Sequence, residues 1–534
     1  MNHAEVKRRQ FQALSLAVSC VAVMVMARVL GYNGVTYVAV AMEAYLLVWT
    51  VACGGLSDVL GRLLRTKNGK GQYRNASRLR RNVLFLQMTL GLLGSLLLFF
   101  GAGWIAGDMC GVPYATLILM VLSPAVFLRS VTTVFLGYFQ GDGSEFPTVA
   151  TGFLRQVLVL GFGLLFGRMR AGYGEKVGNL LGQENFVAMH GGVGVAIAVD
   201  LAEGLLLVFL ALLLKGRRHQ KYKNMPDGMR GSDSFWDGVR MVSVGRLVQA
   251  GTSLLVLLPL PLGLMLLMKR GEDPDAAAVQ YGLYLACYLA MGVIFLALAV
   301  AGMLPSVSRT VICLRKEEQR FARMVFQAGM HLGVAHTAYL AAFLMVMASQ
   351  AGAVFGPAQE NEAAGMLRGG ALVVLLAVLS LYFARYLVLV GRKLLVLASV
   401  GCGFLVYLVA AFLLSGTGKV GALALVYAGL LGVGVLTFLL GALSCKHLRL
   451  RTDWLQVLVI PTGAACITGL LGMLLGRLFT PHLGNLVTLV ASFLILWAAY
   501  WVILLLVRNF REQELETVTG GRLIRVLGQM LRVF

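Results

Sequence analysis

"SPAVFLRSVTTVFLGYFQGDGSEFPTVATGFLRQVLVL", Ser123–Leu160, joins two long apolar runs through one short turn. Each run carries a single arginine, Arg129 before the turn and Arg155 after it. At ~1.5 Å per residue, both guanidiniums lie roughly 12–15 Å from the same end of two antiparallel helices. A chain that sets two positive charges at matched depth inside an apolar hairpin needs a reason to keep them there.

Composition says where the hairpin lives. The 534 residues are 59% hydrophobic and 13% charged, about half the charged fraction of an ordinary soluble domain. Apolar stretches near 20 residues recur along the whole length, so the chain reads as an all-α polytopic membrane protein. Glycine is abundant, at 64 residues, as it is in packed membrane helices. "MNHAEVKRRQ" leads straight into an apolar run without a small-residue cleavage site and reads as the lead of an uncleaved first helix.

The hydropathy pattern predicts about fourteen spans, near 11–30, 35–56, 83–107, 114–139, 147–169, 189–214, 241–268, 278–304, 324–350, 367–390, 394–414, 420–443, 454–476 and 485–507. Alternate loops hold most of the lysine and arginine, as in "GRLLRTKNGKGQYRNASRLRR" (Gly61–Arg81) and "KGRRHQKYK" (Lys215–Lys223). The positive-inside rule turns those loops, and both termini, to the cytoplasm of a multi-pass cell-membrane protein. The net charge of +22 is then topology signal facing anionic lipid, and calls for no nucleic acid.

The longest connection, 215–240, divides the chain. The expected organisation is a six-helix lobe at 1–214, a basic linker at 215–240, a second six-helix lobe at 241–443 and a terminal helix pair at 444–507. A basic amphipathic tail follows at 508–534. In that tail Arg522, Arg525, Gln529 and Arg532 share one helical stripe and Leu523, Leu527, Met530, Leu531 and Phe534 the other, a pattern suited to the inner membrane surface.

Ionisable groups inside a span are costly and face a cavity or a partner. The first lobe holds Glu43, Arg129, Arg155, Asp200 and Glu203. Asp200 and Glu203, at i and i+3, share a helix face. The expected arrangement brings Arg129 and Arg155 to Asp200 or Glu203, either as an ion-pair network locking the helices or as the wall of a hydrated cavity for a charged cargo. Arg28, Arg246 and Arg385 lie near enough to helix ends to snorkel.

Catalytic furniture is missing: the sequence has no GxxxxGK[ST], no HExxH and no GxSxG. The eight cysteines include no CxxC and read as small hydrophobes. His331 and His336 are five apart, about 140° round a helix, which is poor for one metal. Vectorial movement without an enzyme activity, metal or cofactor is the expectation.

"ARVLGYNGVTYVAVAMEAYLLVWTVACGGLSDVLGRLL" (Ala27–Leu64), "LGYFQGDGSEFPTVATGFLRQVLVL" (Leu136–Leu160) and "LPSVSR" (Leu304–Arg309) resemble landmarks of one family. It is the polysaccharide-exporter and lipid II flippase branch, stage V sporulation protein B type, of the multidrug/oligosaccharidyl-lipid/polysaccharide (MOP) exporter superfamily. Leu136 stands where that family's "GYFQG" turn is usually preceded by arginine. The resemblance implies two six-helix lobes around a cavity that opens alternately to each side, working as a monomer. It implies a polyprenyl-pyrophosphate-linked saccharide as cargo and a coupling cation, H+ or Na+. Arg28 matches the arginine of the family's first-helix motif and is carried over as substrate-binding. Guanidinium is the best fork for phosphate oxygens, which gives Arg129 and Arg155 a use. The expected substrate-facing set is thus Arg28, Glu43, Arg129, Arg155, Asp200 and Glu203. The competing readings are an ion-coupled multidrug exporter of the same superfamily and a non-transporting scaffold in envelope or spore assembly.

Overall fold

A computed structural model describes residues 3–221, 234–271, 273–416, 421–450, 453–518 and 521–530. The middle of the basic linker, 222–233, lies outside them, as do Leu531, Arg532, Phe534 and the side chains of Arg522 and Leu523. Every regular element among the described residues is helical, as lipid demands of a chain that must satisfy its own backbone hydrogen bonds.

The chain forms two compact units, one of Val25–Gly282 and one of Met1–Met24 with Leu283–Phe534. Helix α1 (His3–Cys53) contributes to both. The first unit continues through α2 (Leu56–Gly69), α3 (Tyr73–Gly103), α4 (Ala115–Leu122), α5 (Pro124–Gly141), α6 (Phe146–Leu181), α7 (Asn185–Lys221), α8 (Phe235–Leu257), α9 (Pro259–Arg270) and α10 (Pro274–Leu283). The second holds α11 (Ala290–Arg315), α12 (Gln319–Val346), α13 (Ala348–Phe355), α14 (Glu360–Leu389), α15 (Lys393–Ser415), α16 (Leu423–Leu448), α17 (Ile460–Leu506), α18 (Glu512–Thr517) and α19 (Gly521–Met530).

Among the described residues, 12 helical stretches are long and apolar enough to cross a membrane. Two of them, Ala13–Gly69 and Leu455–Leu506, are 57 and 52 residues long, well beyond the roughly 20 that one crossing needs. Each is broken at a glycine with positive φ, Gly31 (φ 72°) and Gly484 (φ 73°), a conformation that a side chain would strain. The fourteen spans read from hydropathy divide both stretches at these places.

Large apolar side chains on the outside mark the lipid-facing surface: Phe100 and Phe438 are both widely exposed. Between helices the contacts are small. Gly163, Gly167, Ala171, Gly174 and Gly178 run down the buried face of α6, where α7 packs. A Cβ built on Gly174 would sit 3.0 Å from the Val187 Cα. In lipid such close approach, rather than apolar burial, holds helices together. In the second unit, buried tyrosines reach backbone carbonyls: Tyr382 Oη donates to Phe326 O (2.9 Å) and Tyr500 Oη to Ala335 O (2.7 Å).

The turn region has its own logic. Helix α2 buries Leu56, Val59, Leu60 and Leu64, the i, i+3, i+4, i+8 stripe of an amphipathic helix. That stripe lies on α5, against the glycines of "GYFQG". A Cβ on Gly137 would meet Leu60 at 3.0 Å, and one on Gly141 would meet Leu64 Cβ at 2.7 Å. The corner is tied by Arg80, which pairs with Asp142 at 2.8 Å, and by Tyr138 Oη donating to Arg80 O at 2.6 Å. The motif therefore serves helix packing.

Candidate functional site

Three helices of the first unit bring the paired arginines together. Arg155, on α6, meets Glu203, on α7, as a two-point fork: Nε donates to Oε1 at 2.7 Å and a terminal nitrogen to Oε2 at 3.1 Å. Arg129, on α5, places Nε 3.9 Å from the same Oε1. Glu203 is completely buried, so its charge is held by guanidinium alone. The arginine side chains keep 17% and 16% of their surface exposed; they are neither sealed in the core nor turned out to lipid.

Arg129 has a further setting. Its guanidinium lies 4.1 Å from the centre of the Trp49 ring and 5.6 Å from that of Tyr45, and donates to Tyr45 Oη at 3.1 Å. Tyr45 and Trp49 are i and i+4 on α1, hence neighbours on one face. Desolvated cation–π contact of this kind contributes up to about 2 kcal/mol while leaving N–H groups at the guanidinium edge. Of the five N–H donors of an arginine, Arg129 spends one on Tyr45, whereas Arg155 spends two on Glu203. With two guanidiniums and one carboxylate, the trio carries one net positive charge.

The other predicted residues lie apart from this trio. Asp200, one turn before Glu203, receives a backbone hydrogen bond from Ala125 in the first turn of α5, where helix N–H groups lack intrahelical partners; its Oδ1 has no hydrogen-bond partner. Of the two acids on that face, Glu203 is the one that takes both arginines. Glu43 is two residues from Tyr45 and faces elsewhere. It is buried, accepts from Tyr281 Oη at 2.7 Å, and keeps Oε2 without a partner. Tyr281 Oη also lies 3.1 Å from Leu260 O, at the proline-marked start of α9. Arg28 is exposed on α1, three residues before the Gly31 break.

Sequence reading missed the aromatic half of the site. Tyr45, Trp49 and Tyr281 pass as ordinary apolar residues of their helices; the one local signal is the i, i+4 spacing of Tyr45 and Trp49. It also missed a second buried network at the end of α1. Gln87, fully buried on α3, donates to Ala52 O (3.2 Å) and accepts from Cys53 Sγ (3.1 Å). Cys53 Sγ also lies 3.2 Å from Ser130 Oγ. Arg246 of α8 donates to Ala52 O as well, so this arginine bonds within the protein.

No protein-family model and no curated protein sequence matches the chain. Solved structures do. An inward-facing multidrug resistance transporter of the MATE family aligns with TM-score 0.64 and 14% identity over 81% of this chain and 94% of that one. The lipid II flippase MurJ, in an inward closed conformation, aligns with TM-score 0.65 and 12% identity over 92% and 96%. A MOP-superfamily transporter from Pyrococcus furiosus, described as having a binding pocket of reversed polarity, aligns with TM-score 0.59 and 15% identity over 83% and 96%. At these identities the likeness is one of architecture, and it spans nearly the whole of each relative: the chain has the fold of the MOP superfamily, common to MATE transporters and the MurJ flippase.

Proposed function

We propose that the protein is a flippase that moves a polyprenyl-pyrophosphate-linked saccharide, a cell-wall or polysaccharide precursor, across the cell membrane by alternating access. One observation carries the reading. A guanidinium at membrane depth, Arg129, is seated on Trp49 and Tyr45, keeps uncommitted N–H donors and stays partly exposed. An anion crossing the bilayer needs a fixed cation of this kind, since a headgroup bearing phosphate charge gains most from charge-assisted N–H donors. Arg155 then serves mainly to hold Glu203, and Glu203 trims the site to one net positive charge, enough to attract a phosphate and weak enough to release it. Arg28, carried over from the family motif, is the second phosphate contact.

In this reading the termini face the cytoplasm, the basic loops lie against anionic lipid, the protein acts as a monomer, and H+ or Na+ drives the cycle. The buried Glu43, with one carboxyl oxygen unpartnered, favours a second reading, an ion-coupled exporter of cationic compounds. Reconstitution into vesicles separates them. Lipid-linked sugars carrying pyrophosphate, the same lipids carrying monophosphate, and a cationic dye are offered under an imposed H+ or Na+ gradient. Translocation of the pyrophosphate lipid supports the flippase. Gradient-driven dye movement without lipid translocation replaces it with the exporter.

A further inference from the structure

The second unit contains a buried histidine that the transport reading does not use. His331 of α12 is 4% exposed, and all of its polar partners come from the segment following α17. Asn509 places its amide nitrogen 2.9 Å from Nε2. Glu514 of α18 places Oε2 3.5 Å from Nδ1. Phe510 stacks on the ring, with centroids 4.1 Å apart and planes at 19°. An amide nitrogen can only donate, so Nε2 accepts here and Nδ1 bears the proton of a neutral ring. Two buried oxygens beside that ring, Asn509 Oδ1 and Glu514 Oε2, have no hydrogen-bond partner. Such orphans are costly.

One added proton changes both contacts. Taken up from solvent on Nε2, it makes an imidazolium. Nδ1–H then gives a charge-assisted bond to the Glu514 carboxylate. A half-turn of the Asn509 amide presents Oδ1 to Nε2–H, and no covalent bond other than N–H is made. We propose that Asn509–Val518 is a proton-sensitive latch, closed on α12 when His331 is charged and loosened when it is neutral. The latch segment has other anchors that do not titrate with His331. Arg309 of α11 donates to Thr517 O at 3.0 Å, and Phe510, Leu515 and Val518 are buried. These keep the segment in place, so the proton sets how tightly it is held.

The surrounding charges leave Glu514 to answer His331. On α18, Glu512 and Glu516 are both taken by Arg525 of α19, at 2.8 and 2.7 Å. Arg309 on α11 is turned to Thr517 O and the Phe321 ring. On α12 itself, His336 has Nδ1 3.0 Å from Leu332 O and its ring against Trp501. On α14, Arg368 binds Ser349, Arg385 lies one turn before the helix ends at Leu389, and Tyr382 and Tyr386 bond to Phe326 O and His447. On α17, Tyr500 bonds to Ala335 O, and Arg477 and His482 lie in its first half, before the Gly484 break. Arg508 and Arg511 flank Asn509 and Phe510 in the chain. Among the described residues Glu514 is the only charged group within ion-pair distance of the imidazole.

Hydrogen exchange on the full-length protein in lipid nanodiscs tests this, measured across a pH series from about 5 to 8. Rates are corrected for intrinsic exchange, with α15 as internal control. Protection of 509–518 should fall as pH rises, by up to about tenfold per pH unit, the limit for one linked proton. His331→Gln should abolish the dependence, and so should Glu514→Gln, whose partly exposed site makes it the safer variant to fold. A wild-type segment whose protection ignores pH, or a Glu514→Gln protein that retains the full dependence, overturns the latch.

Discussion

Replacing Arg155 with Met removes the fork from a carboxylate that has no exposure of its own. Glu203 is left with Arg129 Nε at 3.9 Å, too far for a hydrogen bond. Removing one partner of a buried pair costs about 3–5 kcal/mol; the remaining guanidinium puts this case near the lower end, at about 3 kcal/mol. For a unit of about 250 residues each kcal/mol moves the melting temperature by about 2 °C, so Arg155→Met should melt about 6 °C lower. Adding Glu203→Met removes the stranded carboxylate. The double variant should recover about half the loss, because exchanging a whole buried pair for apolar side chains is often near neutral while Arg129 keeps only its aromatic seat. The coupling in the cycle should therefore be at least about 1.5 kcal/mol, within the range for residues in contact. The assay is intrinsic tryptophan fluorescence in one detergent at one scan rate, on the wild type, both single variants and the double. Strictly additive shifts, or an Arg155→Met protein that melts like wild type, would refute the assignment of Arg155 as the residue that neutralises Glu203.

Other expectations concern separate parts of the molecule. Arg129→Lys keeps the charge but loses the planar fork; flipping in vesicles should drop about tenfold or more, one lost charge-assisted contact, with near-normal protein in the membrane. Full flipping by the combined Arg28→Ala, Arg129→Ala and Arg155→Ala protein would return these residues to architecture. Glu43→Gln preserves the bond from Tyr281 but removes the ionisable oxygen, so any H+ or Na+ dependence of transport should vanish while the melting temperature holds; unchanged gradient dependence would place the coupling elsewhere. Gly141→Val overpacks the contact with Leu64 and should destabilise the corner by about 1–3 kcal/mol, read as faster proteolysis at Lys67–Tyr73. In a cysteine-free background, single cysteines at Gly71 and Glu175 should label from opposite sides of the membrane, and labelling from one side would break the proposed topology.

Membrane residence, helical class and the approximate spans were legible in the chain because they depend on local quantities: the length of an apolar run and its lack of charge. Convergence of Arg129 and Arg155 on an acid of α7 was legible for a different reason. A charge in hydrocarbon must find a partner, and matched depth restricts the choice to few. The choice between Asp200 and Glu203 was not legible, since the two share one helix face and differ by a single turn. It was decided by the rotation of α6 and α7 about their axes, set where Gly174 meets Val187, and by Ala125 of α5 bonding to Asp200. Nor could hydropathy single out Tyr45 and Trp49 as the seat of Arg129, or Tyr281 as the partner of Glu43 more than 200 residues away. Depth along a helix is written in the sequence of that helix, whereas the direction a side chain faces, and what it meets there, depends on where every neighbouring helix has packed.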